Sequence, residues 1–153
     1  MQLLRRYYLA MLAGAFGLSA TPARPNLSGR WKMDLQRSEM GHEMRAGSYY
    51  EELIIDHREP LVRIDYRLHF DGKFSEALYR LRTDGSEVRT ETPVGLESSR
   101  TRWEGEKLVT VANLLGSGTD EQRIVRFLSE GGKQLNVQYG KSEYPKTLIF
   151  VPF

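Results

Sequence analysis

The sequence predicts an all-β protein: a single antiparallel up-and-down β-barrel of eight to ten strands. Three observations lead there. Turn signals recur every 9 to 14 residues from position 58 onward, the rhythm of strands joined by hairpins. Between the turns, apolar and polar residues alternate, so that each strand has one drier face. No apolar stripe with a 3.6-residue period appears after residue 50, so amphipathic helices are not expected there.

The turns are Arg58-Glu59-Pro60, Asp71-Gly72-Lys73, Asp84-Gly85-Ser86, Pro93-Val94-Gly95, Glu104-Gly105-Glu106, Gly116-Ser117-Gly118, Glu130-Gly131-Gly132 and Gly140-Lys141-Ser142. Asp-Gly pairs favour tight hairpins because glycine accepts positive φ without a steric penalty. The cleanest alternation runs from Leu61 to Phe70: Val62, Ile64, Tyr66, Leu68 and Phe70 interleave with Arg63, Asp65, Arg67 and His69. Leu135, Val137 and Tyr139 interleave with Gln134, Asn136 and Gln138 in the same way. Strands are predicted at about 29–35, 50–57, 61–70, 75–83, 86–91, 97–103, 107–113, 120–128, 134–139 and 145–152. A meander of that many short strands closes on itself to remove exposed edges. Residues 36–48, with Met40, His42 and Met44, break the alternation and read as a loop with a helical turn over one barrel mouth.

A chain of 153 residues allows one domain with a real core. At 40% hydrophobic and 27% charged residues it is too apolar for a disordered protein. Residues 1–23 read as an export signal: Arg5 and Arg6, an uncharged run from Tyr7 to Leu18, then Ser19, Ala20 and Ala23 as cleavage-site residues. That run is too short to span a bilayer, which takes roughly 20 residues. Gly14, Gly17, Pro22 and Pro25 weigh against the competing reading, a retained anchor or buried helix. Arg5-Arg6 also suggests the twin-arginine route, without the polar residue usual before the pair. The barrel domain is then 24–153, periplasmic or extracellular, with no stable membrane span after processing. Its 20 basic and 20 acidic residues balance, which counts against nucleic-acid binding. With no cysteine, disulfides, thiolate metal sites and thiol nucleophiles are excluded. Asn26-Leu27-Ser28 is a glycosylation sequon, meaningful only in a eukaryotic host.

Asn26-Leu27-Ser28-Gly29-Arg30-Trp31-Lys32-Met33 opens the mature domain. Gly29-x-Trp31 on a first strand, soon after an export signal, resembles the opening motif of lipocalins. These belong to the calycin superfamily, which also includes the fatty-acid-binding proteins. The continuation Asp34-Leu35-Gln36-Arg37-Ser38 and the later hairpin Trp103-Glu104-Gly105-Glu106-Lys107-Leu108 resemble small lipocalin-like proteins exported by bacteria. The resemblance implies a lipocalin-like barrel that carries a small ligand. The Arg-x-Tyr pair that holds carboxylates in fatty-acid-binding proteins has no counterpart after residue 23. Read from the residues alone, Trp31 is a large ring suited to plugging one end of a barrel. Gly29 permits close approach to it, and Gly29, Trp31 and Trp103 are assigned as structural motif residues.

The residues that could carry chemistry are dispersed. His42, His57 and His69 show no metal-ligand spacing, and neither a metal nor a cofactor is expected. Ser98 and Ser99 lie outside any Gly-x-Ser-x-Gly elbow. The neighbours Asp56 and His57, like Glu51 and Glu52, point to opposite faces of a strand. Gly116-Ser117-Gly118 and Glu130-Gly131-Gly132-Lys133 lead into no helix that could cradle a phosphate. The arginines are more telling. Arg126 shares a strand face with Ile124 and Leu128, and Arg123 shares the other with Val125 and Phe127, so closure sends one of the two inward. A buried guanidinium needs a carboxylate, several carbonyls or an anionic ligand, although cross-strand pairing on the outside is the competing role.

The expected function is an exported protein that binds a small hydrophobic or amphiphilic molecule in its lumen. The nominated ligand contacts are Arg126, Arg80, Tyr79, Tyr139 and Phe127. Two alternatives stay open: an envelope or extracellular protein–protein interaction module without a cavity, and a small pocket enzyme. No catalytic residue is assigned; an enzyme would need a titratable cluster such as Asp65, His69 and an arginine inside the lumen.

Overall fold

The computed structural model describes residues 23–40, 49–118, 120–140 and 146–153. Ten strands follow in chain order: β1 (Gly29–Met33), β2 (Tyr49–Arg58), β3 (Leu61–Phe70), β4 (Lys73–Arg82), β5 (Val88–Thr92), β6 (Gly95–Glu104), β7 (Lys107–Leu114), β8 (Gln122–Ser129), β9 (Gln134–Tyr139) and β10 (Lys146–Pro152). One 3₁₀ turn, Glu130–Gly132, is the only helical element among the described residues. All ten predicted strands are present, most within two or three residues of their expected limits. The loop expected over 36–48 lies partly outside the described residues. Its first part folds as a turn in which Asp34 accepts hydrogen bonds from the Gln36 and Arg37 amides.

Every neighbouring pair is antiparallel, in the order β4-β3-β2-β1-β10-β9-β8-β7-β6-β5. The first and last strands meet through the β1–β10 ladder, Trp31 opposite Pro152. β4 and β5, at the two ends of the order, pack side by side with no ladder recorded between them. Near them a bridge between Asp84 and Arg102 helps draw the sheet round. The result is a nearly closed barrel. The β3–β4 hairpin turns on Asp71 and Gly72, both at positive φ (46° and 73°), the geometry whose twist matches the flanking strands.

One half of the interior is filled. Trp31, Ile55, Val62, Leu108, Leu135 and Phe150 are all buried there. The segment before β1 closes this end, with Leu27 fully buried. The Trp31 indole N–H donates to the Leu27 carbonyl at 3.1 Å, and its ring lies over Gly29. A Cβ at Gly29 would sit 3.0 Å from the indole nitrogen, and φ there is +153°. Glycine is therefore required on two counts.

The polar groups at this end are matched. The Leu27 amide donates to His57 Nδ1 at 3.1 Å, which leaves the ring proton on Nε2, facing Glu59 Oε1 at 2.9 Å. Glu59 also accepts from the Trp103 indole at 2.6 Å and from the Thr83 hydroxyl. Burial opposes ionisation of Glu59, but the bonds from Thr83, His57 and Trp103 outweigh it and hold the carboxyl below its ordinary range. His57 stacks on Trp103 with ring centroids 5.8 Å apart. These contacts give Gly29, Trp31 and Trp103 their structural roles.

Candidate ligand-binding cavity

The other half of the barrel is hollow, enclosing a cavity of about 690 Å³. Five aliphatic side chains, Leu53, Ile64, Leu81, Ile124 and Leu148, line it. Glu51, Tyr66, Tyr79, Glu97, Thr110, Arg126 and Tyr139 share the wall with them. Val94 and Gln122, both exposed, bring the cavity to the rim that carries the β5–β6 turn. Strand parity explains this lining: Glu51 shares a face of β2 with Leu53 and Ile55, and Arg126 shares a face of β8 with Ile124.

Arg126 is the central polar group. It is only 7% exposed, and its single hydrogen bond to a described residue runs from Nη1 to the Thr110 hydroxyl at 3.1 Å. Thr110 in turn pairs with the Thr101 hydroxyl at 2.9 Å. Arg126 makes no ion pair with any described carboxylate. Burial draws its guanidinium pKa down, while Tyr139, Tyr79 and Glu97 act in the opposite sense. Glu97 is raised by burial, with Arg126 opposing. A guanidinium has five N–H donors and stays charged at any ordinary pH, so most of its donor capacity meets no partner among the described residues.

Glu51 lines the same cavity. It is 3% exposed; the Tyr49 hydroxyl donates to its Oε1, and its Oε2 is buried with no hydrogen-bond partner among the described residues. Burial pushes its carboxyl up, and the Tyr49 and Tyr66 hydroxyls only partly compensate. Tyr66 and Tyr79 meet edge to face, 6.5 Å between centroids. Burial also raises Tyr139, whose phenol senses both Glu51 and Arg126.

Of the nominated ligand contacts, Arg126, Tyr79 and Tyr139 converge on the cavity, whereas Arg80 and Phe127 lie on the outside. Phe127 follows Arg126 directly, and adjacent strand residues cannot face the same side. Its ring is covered by the Lys107 ammonium, 4.8 Å from the centroid. Arg80 is exposed between the inward Tyr79 and Leu81. Arg123 also points outward and pairs with Glu104 at 2.9 Å. Asp65 and His69 do not enter the lumen: Asp65 lies 4.0 Å from Arg67, and His69 is exposed beside Phe74. His42 lies outside the described residues. Among the described residues no group of three His, Asp or Glu side chains is placed to hold a metal.

Sequence reasoning overlooked Glu51 and Glu97. The comparison of Glu51 with its neighbour Glu52 missed its relation to Leu53 and Ile55, two and four residues on. That shared parity was the available signal.

No family model and no curated protein matches the chain. Solved structures do share its shape. Apo lipid binding protein 8 of Caenorhabditis elegans superposes with a TM-score of 0.57 at 14% identity, over 82% of this chain and 94% of that one. A mutant of the REP1-NXSQ fatty acid transporter gives 0.59 at 16% identity, covering 83% and 98%. A mutant of the fluorescent protein UnaG gives 0.57 at 17% identity, covering 82% and 95%. What these structures share with the chain is the fold, here a ten-stranded antiparallel barrel.

Proposed function

We propose that this protein binds a small, partly hydrophobic molecule with an acidic group in the hollow half of its barrel, and that it does so after export directed by residues 1–23. The observation that carries the binding reading is Arg126: a buried guanidinium with one hydrogen bond to the described residues, on the wall of a cavity of about 690 Å³. That volume falls in the range of about 300–1,000 Å³ typical of small-molecule sites. Transfer of an apolar chain onto the aliphatic wall contributes roughly 25 cal/mol per Å² removed from water. A carboxylate on Arg126 adds charge-assisted hydrogen bonds in a site with little water to compete. The lipid-binding barrels that share the fold support the same reading, and the hollow interior argues against an interaction module without a cavity.

The test is displacement of a hydrophobic dye, anilinonaphthalene sulfonate, by dodecanoic acid and by dodecanol. Arg126→Gln should weaken the acid by about ten- to a hundredfold and leave the alcohol nearly unchanged. No saturable binding of either compound by the wild-type chain would defeat the proposal. Export is tested separately, by whether residues 1–23 carry a reporter enzyme out of a bacterial cytoplasm; a reporter retained inside would remove that part.

A further inference from the structure

The cavity has a second polar anchor. Glu51 Oε2 is buried in the wall with no hydrogen-bond partner among the described residues, although the same carboxyl accepts from Tyr49 through Oε1 and the Tyr66 hydroxyl also favours its ionised form. Leaving a buried polar atom unmatched is costly, and native interiors rarely do so without reason. Glu51 cannot be satisfied by Arg126, which makes no ion pair with it. Both groups are sensed by the phenols of Tyr79 and Tyr139, so they belong to one polar belt around a single cavity. A plain fatty acid could satisfy Arg126 but would bring a hydrocarbon chain against the unmatched carboxyl.

We propose, building on the binding reading above, that the ligand is a two-headed amphiphile: an acidic group held by Arg126 and a hydroxyl, displaced along the chain, held by Glu51. A hydroxyl suits this position because it both donates and accepts. It can serve the carboxylate, or the carboxylic acid that burial favours. The aliphatic side chains Leu53, Ile64 and Leu148 then contact the carbon segments between and beyond the two polar groups.

The experiment compares dodecanoic acid with a series of hydroxydodecanoic acids whose hydroxyl moves from the carboxyl end to the far end, using dye displacement on the full chain. At least one hydroxylated acid should bind about tenfold more tightly than the plain acid, the effect of one hydrogen bond to an otherwise unmatched buried group. Glu51→Leu should bring that pair to equal affinity, and Glu51→Gln, which keeps an oxygen and a nitrogen in the wall, should restore part of the preference. Circular dichroism confirms that both variants fold. If plain and hydroxylated acids bind equally well to the wild-type chain, or if Glu51→Leu keeps the preference, the two-headed ligand is overturned while the carrier reading stands. If no member of the series binds, the carrier reading itself falls.

Discussion

At the end of the barrel that holds Trp31, each buried polar group has found a partner. His57 binds the Leu27 amide and Glu59, and Glu59 gathers donors from His57, Trp103 and Thr83. At the opposite end, among the described residues, Arg126 has one hydrogen-bond partner and Glu51 Oε2 has none. Both regions are built by the same strands with the same alternation, yet one is a finished network and the other is incomplete. A satisfied buried network rigidifies and specifies a structure. An unsatisfied one costs stability, and its groups remain available to something else. The filled end is built for stability, and the hollow end is where the proposed ligand would bind.

The sharpest way to break that division is to open the filled end. Trp31→Ala should destabilise the fold by about 3–5 kcal/mol, the usual cost of removing a buried aromatic, as measured by urea unfolding. An effect below about 1 kcal/mol would mean that the ring does not plug the barrel.

Next in size, the buried Glu51 and the partly exposed Glu59 should respond oppositely to the same change. Glu59→Gln places an amide N–H₂ among three converging donors and, since solvent reaches this side chain, should cost about 0.5–1 kcal/mol at neutral pH. The folded state holds the Glu59 carboxyl below 4.5, so its contribution is present above that value and is lost as pH falls through the lower, folded one. The penalty of Glu59→Gln should therefore shrink in acid. Glu51 is shifted the other way, above 4.5. Its favourable contribution is present below that value and is lost as pH rises through the folded one. Glu51→Gln should raise the melting temperature by a few degrees at pH 8, with the gain disappearing below pH 4. Thermal melts of both variants across this range check the signs; parallel curves would sink the contrast.

Smallest of all, Arg80→Ala on the outer face should change stability by less than about 0.5 kcal/mol and leave the displacement curves for dodecanoic acid where they were. A marked loss of binding would place Arg80 at the ligand after all.

The barrel was largely legible from residue order because its signals are local. Alternation within β3 and β9, the Asp71-Gly72 turn and the rhythm of the other hairpins are properties of neighbouring residues. Gly29-x-Trp31 likewise acts over three positions, and the indole reaches the Leu27 carbonyl only four residues away. The site was legible only in part. On β8, alternation separates Arg126 from Arg123 and Phe127 without saying which face is inside. Glu97 and Arg126 are far apart in the chain, as are Glu51 and Tyr139. No local pattern reports that closure brings them to one cavity.

Sequence alone thus determined that this chain is a meander of eight to ten strands with one apolar face each, because a strand's two-residue period is written into consecutive side chains. Tertiary structure decided which arginine is buried, which carboxyl is left unmatched and how much space lies between them. Those facts depend on curvature and on pairings across the barrel, where atoms distant in sequence compete for the same volume.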